Sequence, residues 1–115
     1  MKFSTSLKEN YLFRRLYSKG KFKSSDLMTV YFKRNGTKQN RLGITVSTKI
    51  GNAVQRNKVR RRLREIYRLN EAKFKPGLDI IIVARVKSRF VSYKQLEKTF
   101  FYCCKKLELF SGDSK

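Results

Sequence analysis

Leu78-Asp79-Ile80-Ile81-Ile82-Val83-Ala84-Arg85-Val86 reads as a strand buried on both faces: its apolar residues run on rather than alternate, and most are β-branched. Pro76-Gly77 sets the run off from what precedes it. Such a strand belongs at the centre of a sheet, and the rest of the chain must supply its neighbours and its covers.

Upstream, two shorter segments do alternate. From Leu27 to Lys33, Met28, Val30 and Phe32 share one face, and Leu27, Thr29, Tyr31 and Lys33 share the other. After a polar loop begun by Asn35-Gly36, Leu42, Ile44 and Val46 oppose Gly43, Thr45, Ser47 and Lys49. The two segments are predicted to pair as an antiparallel hairpin, and residues 20–25 could start its first strand early. Its polar face, with Tyr31, Thr45, Ser47 and Lys49, combines stacking, hydroxyl and cationic groups suited to an extended single strand of nucleic acid.

Three helical patterns flank these strands. Ser6-Leu7-Lys8-Glu9 has the form of a capping box, and Leu12 and Leu16 repeat at helical spacing, which predicts a helix over about residues 7–18. Phe13 and Tyr17 form a second pair, turned by about 100° from the leucines and so free to border a surface groove. Ser92 through Gln95 offers another cap, after which Leu96, Phe100, Cys103 and Leu107 recur along one face. The predicted order is α-β-β-α-β-α, an α+β sandwich forming a single domain over residues 1–115, with 111–115 a frayed tail.

The remaining helix, Gly51 to Arg68, is the basic one. Asn52 with Gln55 three residues later marks its start. Leu63 and Ile66 fall within about 40° of Val59 on a helical wheel, a narrow stripe for the core. Asn57, Arg61, Arg64 and Arg68 lie opposite, and like charges stacked at this spacing destabilise a helix unless a polyanion neutralises them. Mixed-sign pairing is read as absent there, which favours binding over an ordinary solvated face.

The whole chain agrees. Its 115 residues carry 29 Lys plus Arg against 8 Asp plus Glu, a formal charge of +21 that a polyanionic partner would relieve. Nine Phe and six Tyr, with 40% hydrophobic residues, supply a core that a disordered polycation lacks. No apolar run reaches the roughly 18 residues that suggest a membrane span, and residues 1–6 lack the apolar core of a signal peptide. Cys103 and Cys104 are adjacent and without a second Cys or His cluster, so buried reduced thiols in a cytoplasmic protein are expected. The chain has no His, and its few acids form no constellation for hydrolysing RNA, so no catalytic side chain is assigned.

Asn52-Ala53-Val54, then Arg56-Asn57, Arg60-Arg61 and Leu63-Arg64-Glu65, resemble the RNR signature of the bacterial ribonuclease P protein subunit. Arg41 through Gly51 and Asp79 through Arg85 fit the same family in order and spacing, so the resemblance covers nearly the whole chain. Arg60 stands where the family often has Lys, which keeps the cation. The resemblance implies a fold like the second domain of ribosomal protein S5, with a left-handed βαβ crossover where geometry alone favours the right-handed one. It implies two partners, the catalytic RNase P RNA and precursor tRNA. Arg56, Asn57, Lys58, Arg60, Arg61, Arg64 and Arg68 match the helix that approaches the catalytic RNA; Phe13, Tyr17 and Tyr31, with Ser47 and Lys49, match a cleft for the 5′ leader of precursor tRNA. Magnesium, held mainly by the RNA, is the implied cofactor, and no membrane or DNA partner is expected. Which protein groups touch metal stays open. Three other readings remain: a ribosomal-type RNA-binding protein without a role in cleavage, a helix-turn-helix DNA binder, and a nuclease acting alone.

Overall fold

The computed structural model describes residues 4–7 and 9–112. In chain order its elements are β1 (Ser4–Ser6), α1 (Asn10–Lys19), β2 (Lys21–Ser24), β3 (Met28–Arg34), β4 (Asn40–Thr45), α2 (Ala53–Asn70), β5 (Leu78–Ala84) and α3 (Tyr93–Lys106). Short 3-10 turns occupy Thr48–Ile50, Glu71–Lys73 and Val86–Phe90. The architecture is α+β: one mixed sheet in the order β1-β4-β5-β3-β2, with three helices.

The apolar run of β5 takes the central position, and both its faces are used. Leu78, Ile80, Ile82 and Ala84 join the main core, where Val59, Leu63, Ile66 and Tyr67 of α2 and Leu96 and Phe100 of α3 meet Met28, Val30 and Leu42. Ile81 points the other way, into a smaller cluster with Leu7, Leu12 and Leu16, packed around by Phe13, Tyr31 and Val83. Thus α2 and α3 cover one face, and α1 covers part of the other. Burying each large aliphatic of the α2 stripe contributes about 1.5–3 kcal/mol, which holds this highly charged helix against the sheet.

The predicted hairpin does not form. β3 pairs antiparallel with β5, and β4 pairs parallel with β5, so the central strand lies between the two segments expected to be partners. A strand apolar on both faces sits inside the sheet, and there its two backbone edges are taken by β3 and β4 rather than left to a hairpin between them. The intervening loop reaches across about 10 Å, two strand spacings, and Asn35 pins it by donating to the Gln39 carbonyl and to Asp79. The parallel β4–β5 pair requires a long crossover, which α2 supplies.

Other boundaries move too. Residues 21–24 form a separate strand, β2, whose hairpin with β3 turns at Ser25, where the hydroxyl donates to the Met28 carbonyl at 2.7 Å and accepts from the Met28 amide. Ser6 lies in β1, an edge strand parallel to β4, so it caps nothing; α1 starts at Asn10 after Glu9, without a side-chain cap. Lys8 lies outside the described residues. β4 ends at Thr45, which takes Ser47 and Lys49 off the sheet and into the turn that follows. Ser111 is not frayed: its amide donates to the Lys73 carbonyl at 2.7 Å, while residues 113–115 lie outside the described part.

The two expected caps of α2 and α3 are present as reciprocal capping boxes, Asn52 with Gln55 and Ser92 with Gln95. Cys103 and Cys104 are free and buried in the main core, and burial pushes the Cys103 thiol above its ordinary value. Among the described residues no helix is long and apolar enough to cross a membrane.

Candidate nucleic-acid interface

Two surfaces gather the residues singled out from the sequence. The first lies on the α1 side of the sheet. Gly43, Ile81, Tyr31 and Phe22 are register partners across β4, β5, β3 and β2, so they form one row perpendicular to the strands. The Phe13 ring packs over Gly43 so closely that a Cβ there would stand 2.6 Å from its ring. Tyr17 continues the line, its ring centroid 6.4 Å from that of Phe13 and 5.0 Å, edge-on, from that of Tyr31. Phe22 closes it at 5.3 Å from Tyr31.

These rings are not all core. Tyr17 is 41% exposed and Phe22 58%, whereas Phe13 and Tyr31 are half-buried against the smaller cluster. A hydrogen bond of 3.0 Å between the Tyr17 and Thr45 hydroxyls ties α1 to the end of β4. The row is therefore a fixed, partly open aromatic ledge with hydroxyls beside it, the kind of surface on which unpaired bases stack. Ser47 and Lys49 are exposed just beyond β4, in the turn that leads to α2.

Phe22 is not among the residues singled out from the sequence, where residues 20–25 carry only the expectation of an early start to the first strand. The alternation Lys21-Phe22-Lys23 carried the signal: it puts the lone aromatic on the face opposite its two lysines.

The second surface is the outer side of α2. Glycine is required where the chain enters it: Gly51 has φ of 152°, and a Cβ would come within 2.0 Å of the Gln55 side chain and 2.4 Å of Arg89. Arg89, which the sequence reading did not single out, donates to the Ile50 carbonyl at 2.8 Å and to Gln55 at 2.9 Å, locking this entry.

The cations of α2 are not equivalent. Arg56 donates to the Gly51 carbonyl at 2.9 Å, and Arg60 to the Asn57 side chain at 3.0 Å. Arg62 turns inward to the Val91 carbonyl. Arg68 pairs with Glu65 one turn back, which corrects the expectation that mixed-sign pairing is absent. This pair holds the exposed Glu65 carboxyl below its ordinary value and raises Arg68. Lys58, Arg61 and Arg64 are exposed and have no side-chain partner among the described residues.

No three His, Cys, Asp or Glu side chains gather where a metal could be held, among the described residues. Buried Asp79 is already engaged by Arg41, at 2.6 and 2.7 Å, and by Asn35, and the same bond raises the Arg41 guanidinium. Among the described residues, Asp79 is thus occupied as an ion-pair and hydrogen-bond partner.

A family model described as Ribonuclease P matches residues 1–108. A ribonuclease P protein component from Alkaliphilus oremlandii is 42% identical over 112 residues, covering 97% of this chain and 98% of the relative. One from Alkaliphilus metalliredigens is 39% identical over 111 residues, 96% of this chain and all of the relative. The solved structure of the Staphylococcus aureus RNase P protein superposes with a TM-score of 0.85 at 33% identity, over 92% of this chain and 97% of that one.

Proposed function

The chain belongs to the ribonuclease P protein family, and from that premise we propose that it binds the catalytic RNA through the outer face of α2 and the 5′ leader of precursor tRNA along the aromatic row. The observation that carries the reading is the row itself: Phe13, Tyr17, Tyr31 and Phe22 cross the sheet in one line, and their open rings face away from the main core.

The division of labour follows from the side chains. Lys58, Arg61 and Arg64 offer phosphate contacts that cost little preparation, because no internal partner has to be released first. Arg56 and Asn57 are held by local hydrogen bonds and act as a shaped edge rather than as mobile charge. The ledge binds unpaired nucleotides by stacking, without choosing a sequence, as a subunit serving many precursors must. Lys49 and Ser47, between the two surfaces in the chain, meet the backbone where leader and catalytic RNA come together.

Magnesium is assigned to the RNA, as the family resemblance implies. The protein contributes position and charge neutralisation: it holds the leader so that the bond to be cut lies in the RNA's active site, and it favours precursor over leader-free product. Cleavage of precursor tRNA is measured with protein alone, RNA alone and both together in magnesium. Cutting by both, or by RNA alone at high magnesium, is expected; cutting by protein alone contradicts the mechanism. Within the holoenzyme, Phe13→Ala or Tyr17→Ala weakens precursor binding about tenfold, on the order of one lost stacking contact, and leaves mature tRNA binding unchanged. Equal losses for the two ligands would point instead to a general RNA-assembly role.

A further inference from the structure

A second basic surface lies at the opposite edge of the sheet from the β4–α2 junction. Lys19 ends α1, Lys21 begins β2, Lys33 and Arg34 end β3, and Lys106 ends α3; with Lys75 they line one concave patch in which Glu108 is the sole acid among the described residues. Lys19, Lys21, Arg34 and Lys106 are exposed. The C-terminal positions of Lys19 and Lys106 have a local explanation, because a cation at a helix C-terminus is favoured by the helix dipole. Lys21, Lys33 and Arg34 sit on strands and have no such reason to converge. Six like charges around one depression raise an electrostatic cost that an anion bound there removes.

The patch borders the aromatic row through Lys33, which shares the Tyr31 face of β3 two residues along, while Lys21 lies on the edge strand of Phe22 but on its other face. Phe22 and Tyr31 are chain neighbours of Lys21 and, through Phe32, of Lys33. The row spans three strand spacings, roughly 14 Å, from Gly43 on β4 to the exposed ring of Phe22 on edge strand β2. An RNA strand whose near end is held at the catalytic RNA on the α2 side therefore leaves the row at Phe22, on the edge strand that Lys21 begins, and reaches the patch by turning past that edge.

We infer that this patch is a distal leader subsite: it binds the phosphates of leader nucleotides farther from the cleavage site than those stacked on the row. The inference rests on the leader reading above and extends it. Stacking alone saturates once the row is filled, whereas the cations past its end reward a longer leader. The contacts are to phosphate, so they are independent of sequence and sensitive to salt.

The test uses holoenzyme reconstituted with the triple variant Lys21→Gln/Lys33→Gln/Arg34→Gln and precursors whose leaders are lengthened one nucleotide at a time. For the native holoenzyme, affinity rises in two stages with leader length. The variant keeps the first stage and loses the second, on the order of tenfold at moderate salt, and for long leaders its log–log salt slope is shallower by about 2, three single-strand phosphate contacts at about 0.7 each. Affinity for the catalytic RNA alone stays native. A loss equal at every leader length, or a loss of catalytic RNA affinity, would assign the patch to folded RNA and overturn the inference; so would a native second stage in the variant. If the native holoenzyme fails to distinguish precursor from mature tRNA at all, the leader reading itself falls, and the distal subsite with it. Should the triple variant melt early, the exposed single changes Lys21→Gln and Arg34→Gln repeat the measurement, each expected to remove part of the second stage.

Discussion

At the scale of the residue, Gly43 couples packing to the proposed leader site. Its missing side chain is what lets Phe13 lie on the sheet, since a Cβ would meet the ring at 2.6 Å. Gly43→Ala is expected to push Phe13 off the row, destabilise the protein by about 1–3 kcal/mol, and reduce discrimination between precursor and mature tRNA; thermal melting and paired binding measurements check both. Unchanged discrimination despite a lowered Tm would separate Phe13 from the leader. The cysteines make a second case. With burial raising the Cys103 thiol, little thiolate exists at neutral pH, so thiol reagents should react slowly with native protein and rapidly in denaturant. Comparable rates in the two conditions would mean that this end of the core opens freely.

At the scale of the element, α2 shows what a charge pattern conceals. The wheel identified its buried stripe because apolar residues in a basic helix have one place to go: Val59, Leu63 and Ile66 are all buried. It could not rank the cations, because their partners come from Glu65 one turn away, from a glycine carbonyl and from the remote Val91. Glu65→Gln frees Arg68 and removes a negative charge from the proposed RNA face, so affinity for the catalytic RNA should rise severalfold, with a salt slope steeper by about 1. Filter binding across a salt series measures this, and weaker binding would mean that Glu65 orients Arg68 for its contact. The pair gives little pH dependence in the working range: Glu65 is lowered on folding, so its small contribution is complete above the ordinary carboxylate range and lost only as pH falls through it. The strands show the complementary limit. β5 was legible as central because its period is absent, whereas the partnership of β3 and β4 was not, because alternation reports faces and says nothing of neighbours. β1 and β2, three and four residues long, are edge strands held by their partners' backbones, and β2 shows only the single aromatic Phe22 between its lysines.

At the scale of the whole molecule, a net charge of +21 on 115 residues dominates. Binding of the protein to the catalytic RNA should follow a log–log salt slope near −4 to −5, as for about six neutralised phosphates, and a flat response would rule out the basic helix as the main contact. The free protein should also melt higher as salt screens its self-repulsion, and higher still with an inorganic polyphosphate, an anion that binds the folded charge array. The two cores explain why such a chain folds at all: the main one fills the space under α2 and α3, the smaller one anchors α1, and the basic surfaces are carried outside both.

The central place of β5 also sets an order of events in time. Its residues, 78–84, are hydrogen-bonded to β3 on one edge and β4 on the other, and those two strands do not pair with each other. While the chain is being synthesised, everything up to the end of α2 waits for a strand that has not yet left the ribosome, so the sheet closes late and as a unit. A ribosome-bound chain halted before residue 78 should be sensitive to protease throughout, and one extended far enough to expose α3 should be resistant. The proposed RNA-binding surfaces thus come into being together, after most of the protein has already been made.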